Sequence, residues 1–160
     1  MKSARWPVLL PVALIITLVA PVLRGFNFGL FLPDFWLLLL LVAVPYRAQG
    51  IKGAFWWVFL LGLLRASVSA VSPFSSWAGL GFGLVVRGFV QSQLSSLSPL
   101  VRLLVGSVAA APLTVLDSAV LAGLTGFPLS PSVMLWRIFL AGCVWAFLGR
   151  TTPRLTWSKA

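Results

Sequence analysis

The chain has 160 residues, of which 60% are hydrophobic and 9% charged, and its mean hydropathy is +1.05. A soluble domain of this length has too little interior to hide so much apolar surface, so the composition argues against an ordinary globular domain and predicts an integral membrane protein. The net charge of +10 arises from twelve Lys and Arg against two acids. Because the cations stand singly between apolar runs, they argue against nucleic acid as a partner and point to membrane topology instead.

No histidine or glutamate is present, and Cys143 is the single cysteine. No metal, no cofactor and no disulfide within the chain are therefore expected, and the serines have no imidazole to activate them, so the chain is not expected to be an enzyme. The alternation of a membrane β-barrel is missing, which leaves helices.

In chain order, Lys2 and Arg5 precede an apolar run, residues 6–23, with no small-x-small cleavage signal. It reads as an uncleaved first span, kinked or ended by Pro11 and Pro21. A turn-rich connector leads to Pro33 and Asp34, where Asp34 is placed to cap the next helix. That helix is a leucine run closed by Pro45; its core from Phe35 to Val44 is about 15 Å long at 1.5 Å per residue, and the second span is set at 32–45.

A basic segment with Arg47 and Lys52 separates it from a third span, 53–71. An uncharged turn at 72–77 precedes a fourth span, 78–94. The fifth span is 103–124, the sixth 132–148, and a basic tail follows. Residues 1–160 thus form a single polytopic membrane domain, an all-α bundle of six transmembrane helices in a lipid bilayer.

Six spans put both termini on one side. Lys2, Arg5, Arg47, Lys52, Arg102, Arg150, Arg154 and Lys159 share that side, and Arg24 alone stands opposite, so the positive-inside rule assigns both termini to the cytoplasm. Trp6, Trp36, Trp56, Trp57, Trp77 and Trp136 fall near span ends and read as an interfacial aromatic belt.

Within the spans lie Arg65, Arg87, Asp117 and Arg137. Each buried arginine is costly, about 2.5–3.5 kcal/mol at a helix centre on insertion scales, so each needs a partner or a route to water. Arg65, Asp117 and Arg137 are expected at similar depth in the outward half, with Arg87 nearer the middle and Asp117 the only acid inside the bundle. Three roles stay open for the arginines: pairing and snorkelling, contact with a partner, and binding of an anionic ligand. Gly62, Gly79 and Gly83 belong to small-residue stripes that suit either packing inside the bundle or docking of a partner helix.

Leu32-Pro33-Asp34 leading into Leu37 to Leu41, the Leu60-Leu61-Gly62-Leu63-Leu64 stretch, and Ser72-Pro73 before a glycine-rich span resemble the MreD family of bacterial rod shape-determining proteins. The basic second loop and basic tail agree. The resemblance implies a non-enzymatic scaffold of the cell-wall elongation machinery in the inner membrane. It would bind a bitopic MreC-like protein, linked to an MreB-type cytoskeleton and the peptidoglycan synthases.

The family often carries an acid shortly after the third-span glycine-leucine, where this chain has Arg65-Ala66; the resemblance therefore implies a charge contact inverted or lost. The family's fold is similar to the six-helix substrate-binding subunits of energy-coupling-factor transporters. That similarity supplies the alternative, a vitamin-type small-molecule binding subunit in which Arg65, Asp117 and Arg137 line a pocket.

Overall fold

The computed structural model describes residues 6–26, 29–44, 51–69, 71–93 and 98–148. Among these, six α-helices form and no strand: α1 Trp6–Arg24, α2 Phe35–Ala43, α3 Ile51–Ser67, α4 Pro73–Gln93, α5 Pro99–Thr125 and α6 Pro131–Leu148, with one 3-10 turn, Gly29–Phe31, before α2. Lys2, Arg5, Pro45, Arg47, Arg150, Arg154 and Lys159 lie outside the described residues. Helices α5 and α6 are long and apolar enough to cross a membrane; the apolar stretches Val8–Arg24, Gly29–Ala43 and Gly53–Ser67 are shorter.

The helix ends differ from the expected spans for local reasons. Helix α3 stops at Ser67, short of residue 71, where the Ser67 and Ser69 hydroxyls donate to the carbonyls of Leu64 and Arg65, each at 2.8 Å. These bonds compete with continuation of the helix. Helices α4, α5 and α6 each open on a Ser-Pro pair: Ser72, Ser98 and Ser130 accept the N–H of Ser75, Val101 and Val133 at 3.3, 3.3 and 3.4 Å. A serine satisfies a free N–H of the first turn and proline needs none there. Helix α4 therefore begins inside the expected turn, and α5 reaches 27 residues, ending at Gly126 with φ +78°. Helix α1 runs through Pro11 and Pro21 to Arg24 rather than ending at either.

The nine-residue α2 is the centre of the fold. Trp36, Leu37 to Leu41 and Ala43 are all buried. A helix apolar on every side belongs inside other helices. Helix α1 covers it through a narrow seam of Leu9, Ala13, Thr17 and Ala20, and Trp36 donates its indole N–H to Thr17 Oγ1 at 3.2 Å. Trp36 and Trp57 are fully buried, which corrects their placement in an aromatic belt; Trp56 and Trp136 are exposed. Their indoles fill the interior, where the ring area buried is large.

The small residues let neighbouring helices approach. Gly62 forms the notch that receives the Trp77 ring, which stacks on Phe59 at 5.2 Å. Gly79 abuts the Leu113 side chain, and a Cβ on Gly83 would stand 2.8 Å from the Ala109 carbonyl oxygen. Between α5 and α6, a Cβ on Gly142 would stand 2.6 Å from the Leu103 carbonyl oxygen.

Backbone cannot yield there as a flexible side chain can. Gly142→Val is therefore expected to cost about 1–3 kcal/mol in reversible unfolding from detergent micelles. Gly88→Ala, with open space around its Cβ position, should unfold as the parent does.

Candidate functional site

Every helix sends one residue, or its cap, to a polar cluster at the N-terminal end of α2. Arg65 of α3 lies at its centre, 1% exposed. Its Nε donates to Asp34 Oδ2 at 2.8 Å, its Nη1 to Ser76 Oγ of α4 at 3.1 Å, and its Nη2 to both carboxylate oxygens of Asp117 of α5 at 2.5 and 2.6 Å. All three guanidinium nitrogens are engaged with three different elements. Asp34 and Asp117 are the only acids in the chain, so Arg65 holds all of its side-chain negative charge.

Asp34 has a second task. Its Oδ1 accepts the backbone N–H of Leu37 at 3.1 Å, capping α2 as expected. It is also buried, which corrects the expectation that Asp117 is the only acid inside the bundle. Pro33, buried beside it, fits the extended backbone that leads into the cap.

Two further arginines border this cluster. Arg24, at the last turn of α1, lies 3.6 Å from Asp34 Oδ2, and its guanidinium stands 5.3 Å from the Trp36 ring centroid. Arg137 of α6 donates Nε–H to the Leu32 carbonyl at 3.2 Å.

Arg87 belongs elsewhere. Its Nη1 donates to the carbonyls of Leu41 and Val44 at 3.1 and 2.6 Å, and its guanidinium stands 5.3 Å from the Trp145 ring. It therefore closes the C-terminal end of α2, a helix length away from Arg65. A carboxylate at the N-terminus and a guanidinium at the C-terminus both complement the helix dipole, and they satisfy backbone groups that the helix itself leaves unpaired.

Of the residues singled out in the sequence, Arg65 and Asp117 come together, Arg137 lies at the rim and Arg87 stands apart. Gly62, Gly79 and Gly83 are buried within the fold, facing α4 and α5 rather than outward. Arg24 was visible in the sequence only as a topology charge, and Ser76 escaped notice; a register of α4 that begins at Pro73 puts Ser76 one turn in, facing α3. Chemically the cluster is a lock: Arg65 and Asp117 satisfy each other and are not open groups lining a pocket.

Removing the cation should be far worse than removing one acid. Arg65→Met would strand two buried carboxylates and is expected to cost about 3–5 kcal/mol, measured by unfolding in detergent micelles. Asp117→Asn leaves Asp34 on Arg65 and should cost clearly less, and adding Arg65→Met to Asp117→Asn should cost less than the two single losses together. No protein family, curated protein or solved structure matches this chain, so its function must be read from this geometry.

Proposed function

We propose that the six helices form a six-span bundle in the bacterial cytoplasmic membrane, with both termini in the cytoplasm. In this reading the protein is an MreD-type scaffold that holds a bitopic MreC-like partner and so helps position peptidoglycan synthesis. The wall synthases and an MreB-type cytoskeleton are its wider assembly.

The observation that carries the reading is an inverted distribution of polarity. Val8, Leu18, Phe74, Phe89, Leu100, Phe127, Leu135 and Phe147 are each at least 64% exposed, while Arg65, Arg87, Arg137 and Asp34 are buried. A soluble monomer does the reverse, keeping charge outside and limiting its apolar patches. A bilayer makes such a surface favourable and forces the polar groups inward to satisfy one another.

Length is consistent with this. Helices α5 and α6, of 27 and 18 residues, meet the roughly 20-residue need of a spanning helix. The short α2 is enclosed by protein, where a helix that stops within the membrane is tolerated provided its ends are satisfied. Asp34 and Arg87 do that.

Support for the family assignment comes from the residues of the resemblance. Asp34 caps α2 and binds Arg65, Gly62 seats Trp77, and Ser72-Pro73 opens α4. Arg65 stands where the family often carries an acid nearby, and here it gathers both acids of the chain, which is a charge contact inverted.

Two measurements test these levels separately. After Cys143→Ala, cysteines placed at Ser72 and Ser130 should react with an impermeant maleimide in intact spheroplasts, while one at Ser158 should react only after lysis; the reverse pattern overturns the topology. Affinity-tagged chain solubilised from native membranes should retain the MreC-like protein in near-stoichiometric amount, and its depletion should round rod-shaped cells. Recovery of no such partner together with unchanged cell shape overturns the scaffold assignment.

A further inference from the structure

The buried cluster does not balance: Arg24, Arg65 and Arg137 face only Asp34 and Asp117. Arg65 takes the hydrogen bonds of both acids, and the excess falls on the other two arginines. Arg137 is only 9% exposed, yet among the described residues one of its five N–H donors, Nε–H to Leu32, has a hydrogen-bond partner. Among the described residues it has no carboxylate within 4.0 Å. Arg24 approaches Asp34 without a hydrogen bond, and its buried Nη2 has no acceptor among the described residues.

Both arginines border the same short turn. Gly29 lies so close to Arg24 that a Cβ there would come within 2.5 Å of the Arg24 Cα, and the Leu32 carbonyl that ends the turn is the one Arg137 holds. Leu30 and Phe31 of the turn are exposed, as is Trp136 beside Arg137. Two under-used guanidinium groups are thus set among exposed apolar side chains.

We propose that Arg24 and Arg137 form a binding site for a phosphate-class oxyanion, seated over the Gly29–Phe31 turn. A guanidinium pairs with phosphate through paired N–H donors in a way that few other groups match, and one negative charge removes the imbalance that burial makes costly. The apolar rim of Leu30, Phe31 and Trp136 fits a phosphate carried on acyl chains, so an anionic phospholipid headgroup and free phosphate are the two sources to distinguish. The lipid source rests on the membrane reading; the oxyanion site does not.

The full chain, purified in a neutral maltoside detergent, is titrated calorimetrically with short-chain phosphatidylglycerol, short-chain phosphatidylcholine and inorganic phosphate. Saturable one-to-one binding of phosphatidylglycerol is expected, weakened about tenfold or more in Arg24→Gln and Arg137→Gln and unchanged in Arg102→Gln. Binding of phosphatidylglycerol without phosphate assigns the lipid source, and binding of both shows that the oxyanion suffices.

No saturable binding of either anion, equal binding of phosphatidylcholine, or wild-type affinity in both arginine variants overturns the site. Should the glutamine variants lose the elution volume of the folded protein, Arg137→Lys, which keeps the charge but not the planar fork, replaces them. Wild-type affinity in that variant also overturns the proposal. A protein that fails the topology test yet binds phosphate through these arginines retains the site and loses only its lipid.

Discussion

One guanidinium, that of Arg65, takes hydrogen-bonded hold of both side-chain carboxylates of the chain, and the arrangement of the helices follows from where those carboxylates sit. Asp34 begins α2, Asp117 lies in the C-terminal half of α5, and Ser76 stands in the first turn of α4. Burying an ion pair is rarely a net gain over a well-packed apolar core. What it supplies here is address. The interior of α2 is Leu37 to Leu41, five copies of one side chain, and such a run packs almost equally well when rotated or slid by a residue. The polar ends remove that freedom: Asp34 is fixed by Arg65 at one end, and the Leu41 and Val44 carbonyls by Arg87 at the other.

Much of this was legible in the sequence. The helical class followed from composition, and the Asp34 cap from an acid standing before a leucine run. That an arginine meets Asp117 followed from charge scarcity and similar depth; that it is Arg65 did not, because Arg137 lies at a similar depth. The role of Asp34 as a second ligand was not legible, because a residue read as a local cap gave no sign of a partner 31 positions away. The place of Arg87 at the far end of α2 was not legible for a related reason. Its partners are backbone carbonyls, which every residue has and which therefore leave no mark in a sequence.

The Ser-Pro pairs are a different case, since the signal was present at Ser72, Ser98 and Ser130 and each was read as loop. Proline at the first position of a helix is a starter, and each Ser-Pro pair sets the helix start earlier than the apolar run alone indicates. The tryptophans failed for want of tertiary context. Distance from a span end says nothing about which side of the helix an indole occupies, and Trp36 and Trp57 turn inward while Trp56 turns outward.

The separation of the Arg65 partners along the chain also has a consequence in time. Asp34 precedes Arg65 by 31 residues and Asp117 follows it by 52. At common rates of synthesis, about 5–20 residues per second, Asp117 emerges about 3–10 s after Arg65. During that interval Asp34 is the one side-chain anion that the growing chain offers to Arg65. Until then Arg24 and Arg65 both face the single charge of Asp34, a cationic core that Asp117 balances once α5 is made. Asp117 then brings the cluster to two cations and two anions, and Arg137, which follows in α6, restores an excess of one cation.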